Sequence, residues 1–216
     1  VIKAVIFDLD GTLLDRDNSL RHFIHDQYDR MPFLHVVRKQ VYVDRFIELD
    51  SRGYVWKDKV YTSLLAEFGI GDVSPDELLT DYINNFRFHC VPFVNLHETL
   101  EFLKSSGFRL AMITNGFGEF QLANVRSLGI EKYFDFIMVS ELEGIKKPDP
   151  EIFIRALKRF EMDANEAVYV GDHPKNDIQA SRNIGMKGIW KMDPYFNEDF
   201  ERDGTIKELI ELKDIL

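Results

Sequence analysis

Cysteine is all but missing from this chain. The single residue, Cys90, excludes an intramolecular disulfide and any multi-thiolate metal site. Set in a mixed aromatic and basic stretch, it reads as an unreactive, semi-buried side chain. Tryptophan is scarce, at two residues, but 18 Phe and 8 Tyr can build a core, which excludes a disordered chain. No apolar run is long enough to cross a bilayer. The opening residues, Val1 to Phe7, are too few for a signal peptide and lack a small-residue cleavage site after them. They read as a first strand, and the expected compartment is the cytoplasm. Basic residues are outnumbered, 27 against 37 acidic, for a net charge of −10. That field opposes nucleic-acid and anionic-membrane partners. It leaves room for a small anionic substrate at a locally positive site.

What is present is a recurring unit. Val5-Ile6-Phe7 is continuously apolar and runs directly into Asp8-Leu9-Asp10-Gly11-Thr12. A strand apolar on both faces belongs in a parallel sheet covered on both sides. The pattern returns at residues 109–113 before Thr114-Asn115-Gly116, at 136–139 before Ser140-Glu141, and at 167–170 before Gly171-Asp172. A shorter fifth candidate lies at 187–190. Amphipathic helical stretches at 96–105, 119–128, 150–160 and 176–183 separate the strands. Gly107, Gly129 and Gly185 each fit the C-terminal cap position. The expected fold class is therefore α/β, a doubly wound parallel sheet. A last helix is expected from Gly204 to Leu216.

Residues 17–90 break the rhythm and carry helical periodicity instead. Four faces are expected: Leu20, Phe23, Ile24 and Tyr28; Val41, Tyr42, Arg45, Phe46 and Leu49; Val60, Leu64, Leu65 and Phe68; Leu78, Leu79, Tyr82, Ile83 and Phe86. The domain division is then 1–16 and 91–216 for the α/β core and 17–90 for an inserted all-helical cap.

Ligands of a doubly wound sheet bind beyond the carboxyl ends of its strands. Folding should gather Asp8, Asp10, Thr114, Asn115, Lys147, Asp172 and Asp177 there. Singly, each reads as a turn or surface residue. Together, four carboxylates at one edge repel one another and persist where a cation or a catalytic task offsets the cost. Hard oxygen donors without His or Cys partners point to Mg²⁺.

Four segments carry a family resemblance: Asp8-Leu9-Asp10-Gly11-Thr12-Leu13, Thr114-Asn115-Gly116, Lys147-Pro148-Asp149-Pro150, and Gly171-Asp172 through Asp177. In order and placement they resemble the haloacid dehalogenase-like (HAD) hydrolases with a helical cap after the first strand. The resemblance implies a phosphatase in which Asp8 attacks phosphorus to form an aspartyl-phosphate and Asp10 serves as general acid, then base. It implies metal ligation by Asp8, the Asp10 carbonyl and Asp172, with Asp177 as an outer partner. It implies phosphate binding by Thr114, Asn115 and Lys147. His173 and Asn176 read as a loop residue and a helix start.

A carboxylate at Asp10 favours a phosphatase over a 2-haloacid dehalogenase, because halide leaves without a proton. A phosphomutase would also need Asp10 and stays open. A binding protein on this scaffold would be expected to have lost one of Asp8, Asp10, Lys147 or Asp172, and none is lost. The expected partner is a small-molecule phosphate monoester, a nucleoside monophosphate or a sugar phosphate, acted on by a monomer or weak homodimer. The run from Thr114 to Gln121 is similar to that of HAD nucleotidases acting on pyrimidine monophosphates. Arg16, Arg21, His22, His25, Arg38, Lys39, Arg45, Lys57 and Lys59 are candidates to reach a substrate when the cap closes, each otherwise a solvated helix residue.

Overall fold

The computed structural model describes residues 1–216. The chain divides into two compact units, Val1–Asp15 with Pro92–Leu216, and Arg16–Val91. The first unit is a sheet of six parallel strands: β1 (Ala4–Phe7), β2 (Arg109–Thr114), β3 (Phe136–Val139), β4 (Ala167–Gly171), β5 (Lys187–Lys191) and β6 (Gly204–Ile206). Their spatial order is β3-β2-β1-β4-β5-β6. The chain steps outward from β1 to β2 and β3, then returns to the other side of β1 for β4. That reversal is a switch point, where neighbouring connections diverge and leave a crevice at the carboxyl ends. Asp8 follows β1 at this position. Every residue of β1 and β4 is buried, as a sheet covered on both faces requires.

Position β6 corrects the expectation of a single helix from Gly204 to Leu216. Gly204, Thr205 and Ile206 pair with Ile189, Trp190 and Lys191. Pairing satisfies the edge of β5, and Ile206 is fully buried by it. Helical winding resumes only as short turns at Leu209–Glu211 and Leu212–Ile215, the first capped by the Glu208 and Glu211 side chains. The expected helix at 176–183 is also modified. Residues Pro174–Gln179 take the wider π-type winding, with only Ala180–Arg182 α-helical. Gly107, Gly129 and Gly185 take positive φ.

The second unit is helical: α1 (Arg16–Arg30), α2 (Lys39–Asp50), α3 (Lys57–Phe68) and α4 (Pro75–Asn85). Ser74 and Glu77 cap the start of α4 reciprocally. The core is aromatic, with Phe23 on Tyr82 and Phe46 on Tyr61 at ring separations of 5.2 and 5.3 Å. Val41 and Ile83, expected on apolar faces, are exposed instead. The buried stripes run through Tyr42, Val43, Phe46 and Asp50, and through Leu78 and Tyr82. Arg16 and Lys57 are not solvated either. Arg16 grips Asp50 Oδ1 and Oδ2 at 3.0 and 2.8 Å, and the buried Lys57 ammonium donates to Asp50 as well. Two cations on one carboxylate let the charges lie inside the unit. Lys39 pairs with Asp29, Arg45 with Glu48 and Glu67, and Arg21 approaches Asp44.

The core unit is completed by helices α5 (Leu96–Ser105), α6 (Gly118–Ser127), α7 (Ser140–Glu143) and α8 (Pro150–Phe160). No helix is long and apolar enough to cross a membrane.

Candidate active site

The turn after β1 carries both aspartates of the first segment. Gly11 reverses the chain there at φ +83°, a conformation L side chains rarely adopt. A Cβ at this position would lie 2.5 Å from Asp172 Oδ2. Glycine thus lets the β1 turn press against the carboxylate that follows β4. Oxygens of Asp8, Asp172 and Asp177 come within 4.8 Å of one another.

Lys147 enters this group from the loop after α7. Its Nζ donates to Asp8 Oδ1 at 2.7 Å, Asp177 Oδ1 at 2.7 Å and the Tyr169 hydroxyl at 2.9 Å. Three N–H donors meet three acceptors, which satisfies a buried ammonium. Tyr169 in turn donates its O–H to the Ile113 carbonyl at 2.9 Å. The second oxygen of Asp177 accepts from the His173 backbone N–H at 3.0 Å. His173 also caps the following turn, its Nδ1 accepting from the N–H groups of Lys175 and Asn176.

Burial, added to the charges of Asp177 and Asp10, raises the Asp8 pKa to about 7 against the pull of Lys147. Loss of solvent, with the charges of Asp8 and Asp177, pushes Asp172 well above the ordinary carboxylate range. Burial works against the charge on Lys147, but the Asp177 and Asp8 carboxylates overcome it and hold its pKa well above the usual lysine value. Crowded carboxylates that resist ionisation are what a cation relieves. The donor set is all hard oxygen and fits a divalent cation of the Mg²⁺ type.

On the other side of β1 the turn after β2 brings in Thr114 and Asn115. Thr114 is buried. The Asn115 side chain is not turned to a ligand. It clamps the Lys147 backbone, donating to the carbonyl and accepting from the N–H, both at 2.9 Å. Its side chain is thus a support for Lys147, and the group it leaves for a phosphate is its backbone N–H. Helix α7 braces the same turn. Ser140 Oγ accepts from Gly116 N–H at 2.9 Å and Glu141 from Gly118 N–H at 2.6 Å.

A family model described as haloacid dehalogenase-like hydrolase matches residues 5–191. The chain belongs to the haloacid dehalogenase-like hydrolases. Among its relatives in this family, the glyceraldehyde 3-phosphate phosphatase of Pyrococcus abyssi is 38% identical over 221 residues, spanning 88% of this chain and 81% of that protein. The structure of a HAD phosphatase from Thermococcus onnurineus is similar with a TM-score of 0.71 at 25% identity, over 99% of this chain and 97% of that one. The structure of a 2-haloacid dehalogenase from Pseudomonas syringae pv. Tomato DC3000 is similar with a TM-score of 0.65 at 30% identity, over 100% and 98%. The inserted helical cap and the clustered aspartates of this HAD hydrolase are those of a catalytic scaffold.

Some residues of the site escape sequence reasoning. Gln121 is buried on α6 and reaches Asp10 Oδ2 at 2.7 Å and Thr114 Oγ1 at 2.8 Å. Its signal was a lone amide one turn into the helix after Thr114. Tyr169 carried the signal of a hydroxyl inside an otherwise apolar strand. Trp190, whose Nε1 donates to the Asp172 carbonyl at 2.7 Å, gave none.

Proposed function

We propose that this HAD hydrolase is a divalent-cation-dependent phosphate monoester hydrolase acting on a small phosphorylated metabolite through an aspartyl-phosphate on Asp8. One observation carries the reading. The Lys147 ammonium donates to both Asp8 and Asp177 while oxygens of Asp8, Asp172 and Asp177 lie within 4.8 Å of one another. Such a group can receive a dianionic phosphoryl with its cation and present a fixed carboxylate to phosphorus.

The Asp8 carboxylate forms a bond to phosphorus as the phosphorus–alkoxide bond breaks. Asp10 gives its proton to the departing alkoxide. Water then attacks the aspartyl-phosphate, its proton passes to Asp10, and Asp8 is released with inorganic phosphate. Thr114 donates its hydroxyl to a phosphoryl oxygen, and Lys147 holds Asp8 in line while countering charge on the transferring group. Asp8 and Asp172, with the Asp10 carbonyl, would hold Mg²⁺. Asp177, already committed to Lys147 and His173, acts from outside that set. When bound, the cation supplies positive charge to the phosphoryl oxygens.

The carboxylate at Asp10 supports hydrolysis of a phosphate ester over dehalogenation, since an alkoxide needs the proton that halide does not. The Pyrococcus abyssi relative is named for action on glyceraldehyde 3-phosphate. That supports a sugar or triose phosphate over a nucleoside monophosphate. A phosphate-release screen over small monoesters tests the reading, run with Mg²⁺ and again with a chelator. Release from small sugar phosphates that needs Mg²⁺ is expected. No release from any small monoester, or release indifferent to chelator, contradicts it.

A further inference from the structure

Gln121, on α6, has all its polar atoms committed at the edge of the site. It is 2% exposed. Its Nε2 donates to Asp10 Oδ2 at 2.7 Å, Thr114 Oγ1 at 2.8 Å and the Asn115 carbonyl at 3.1 Å. Two N–H groups face three acceptors, and the two shortest contacts go to the side-chain oxygens. The amide is oriented from its other end, where Asn124 Nδ2 donates to Gln121 Oε1 at 3.3 Å. The reversed amide would set an oxygen against the Asp10 carboxylate. Gly116 makes the room: at φ +146°, a Cβ there would lie 2.9 Å from Gln121 Cγ.

We propose that Gln121 is a positioning residue for proton transfer, holding the Asp10 carboxylate and the Thr114 hydroxyl in one frame with the proton of Asp10 kept on Oδ1. The proposal rests on the assignment of Asp10 as general acid. Oδ2 accepts a short N–H bond, so it is the poorer seat for a proton, and Oδ1 is the oxygen left to carry one. The same logic applies to Thr114. Its oxygen accepts from Gln121, so its O–H points elsewhere. The internal acceptor nearest to hand, the Asn115 carbonyl, lies 3.5 Å away, too far for a firm bond. One buried amide therefore turns both protons away from itself and fixes the distance between the acid and the phosphate donor. Misplacing a reacting group by an ångström can cost about a hundredfold in rate.

The test compares kcat/KM for the best alkyl monoester of the screen and for p-nitrophenyl phosphate, whose phenolate leaves with little need of a proton. This parameter reads steps up to loss of the leaving group, so hydrolysis of the aspartyl-phosphate does not enter. Gln121→Glu keeps the shape and replaces donor by acceptor, Gln121→Leu removes the polar atoms, and Asp10→Asn is the reference. Both Gln121 variants should lose roughly 100-fold on the alkyl ester, the low end of general acid catalysis, and about tenfold or less on p-nitrophenyl phosphate, where only the Thr114 contact is felt. A thermal melt confirms that each variant is folded. Equal losses on both substrates, or wild-type rates on both, overturn the proposal. Asp10→Asn separates the two ways to fail. Discrimination in Asp10→Asn but in neither Gln121 variant removes the positioning role alone. No discrimination in Asp10→Asn removes the general acid and the positioning role with it.

Discussion

Lys147 Nζ donates to Asp8 Oδ1 at 2.7 Å with both side chains almost wholly withdrawn from solvent. The same ammonium holds Asp177 at 2.7 Å. A pair this deep is costly to break from one side, because the partner is left charged and dry. Lys147→Met should therefore lose about 3–5 kcal/mol of stability in urea unfolding and abolish turnover. A loss below about 1 kcal/mol would mean that the lysine is not what lets Asp8 and Asp177 lie together.

The raised Asp8 pKa gives a signed pH effect. A native value of about 7, against an ordinary 3.8, means the folded state holds this proton more tightly than the unfolded chain. The stability it contributes is full below the unfolded value and is lost as pH rises through about 7. Melting temperature without metal should fall between about pH 5 and about pH 8 on this account. Mg²⁺ needs Asp8 ionised, so it should raise the melting temperature more at the higher pH. An equal or larger Mg²⁺ effect at the lower pH contradicts the assignment of Asp8 as a ligand.

Gly11→Ala tests the close approach of the β1 turn to Asp172. The new Cβ meets Asp172 Oδ2 at 2.5 Å and takes φ +83°. The backbone strain costs about 1–3 kcal/mol, and the collision displaces Asp172, a proposed ligand of the cation. The variant should melt lower and lose its thermal response to Mg²⁺. A wild-type response to Mg²⁺ would show that Asp172 is not needed to bind the ion.

The strands and their polar ends are legible because a two-sided buried strand is a run of apolar residues that must stop where chemistry begins. Val5-Ile6-Phe7 before Asp8 and Ala167 to Val170 before Gly171-Asp172 both follow this rule. Lys147 is legible from its loop after the third strand, which topology brings to the same edge, and its role only through the family resemblance, since a lone lysine carries no periodic signal. Gln121 is not legible in its role. It meets Asp10 across 111 positions of sequence, and that pairing depends on the turn after β2 bringing the start of α6 to the loop after β1 rather than on any local pattern. Strand β6 was hidden for another reason. Ile206, Leu209, Ile210 and Leu212 share a near-helical spacing, and pairing with β5 overrides it for the first of them. The buried Arg16, Asp50 and Lys57 group escaped because charged residues are expected in water until a partner is seen.

Asp10→Asn should lower kcat/KM for alkyl monoesters by about a hundredfold or more, the scale of general acid catalysis, and for p-nitrophenyl phosphate far less. The amide cannot deliver a proton, while its size preserves the bond from Gln121. Equal losses on both substrates would place the effect on geometry or metal binding instead of on the leaving group.

The central claim is that Asp8 takes the phosphoryl group. Turnover of an active monoester, stopped in acid and followed by peptide mass spectrometry, reads this directly. The account predicts one added phosphoryl on the peptide that contains Asp8, labile at neutral pH, and its absence together with turnover in folded Asp8→Asn. Turnover in Asp8→Asn at the wild-type rate, or a phosphoryl group carried by another residue, would contradict it.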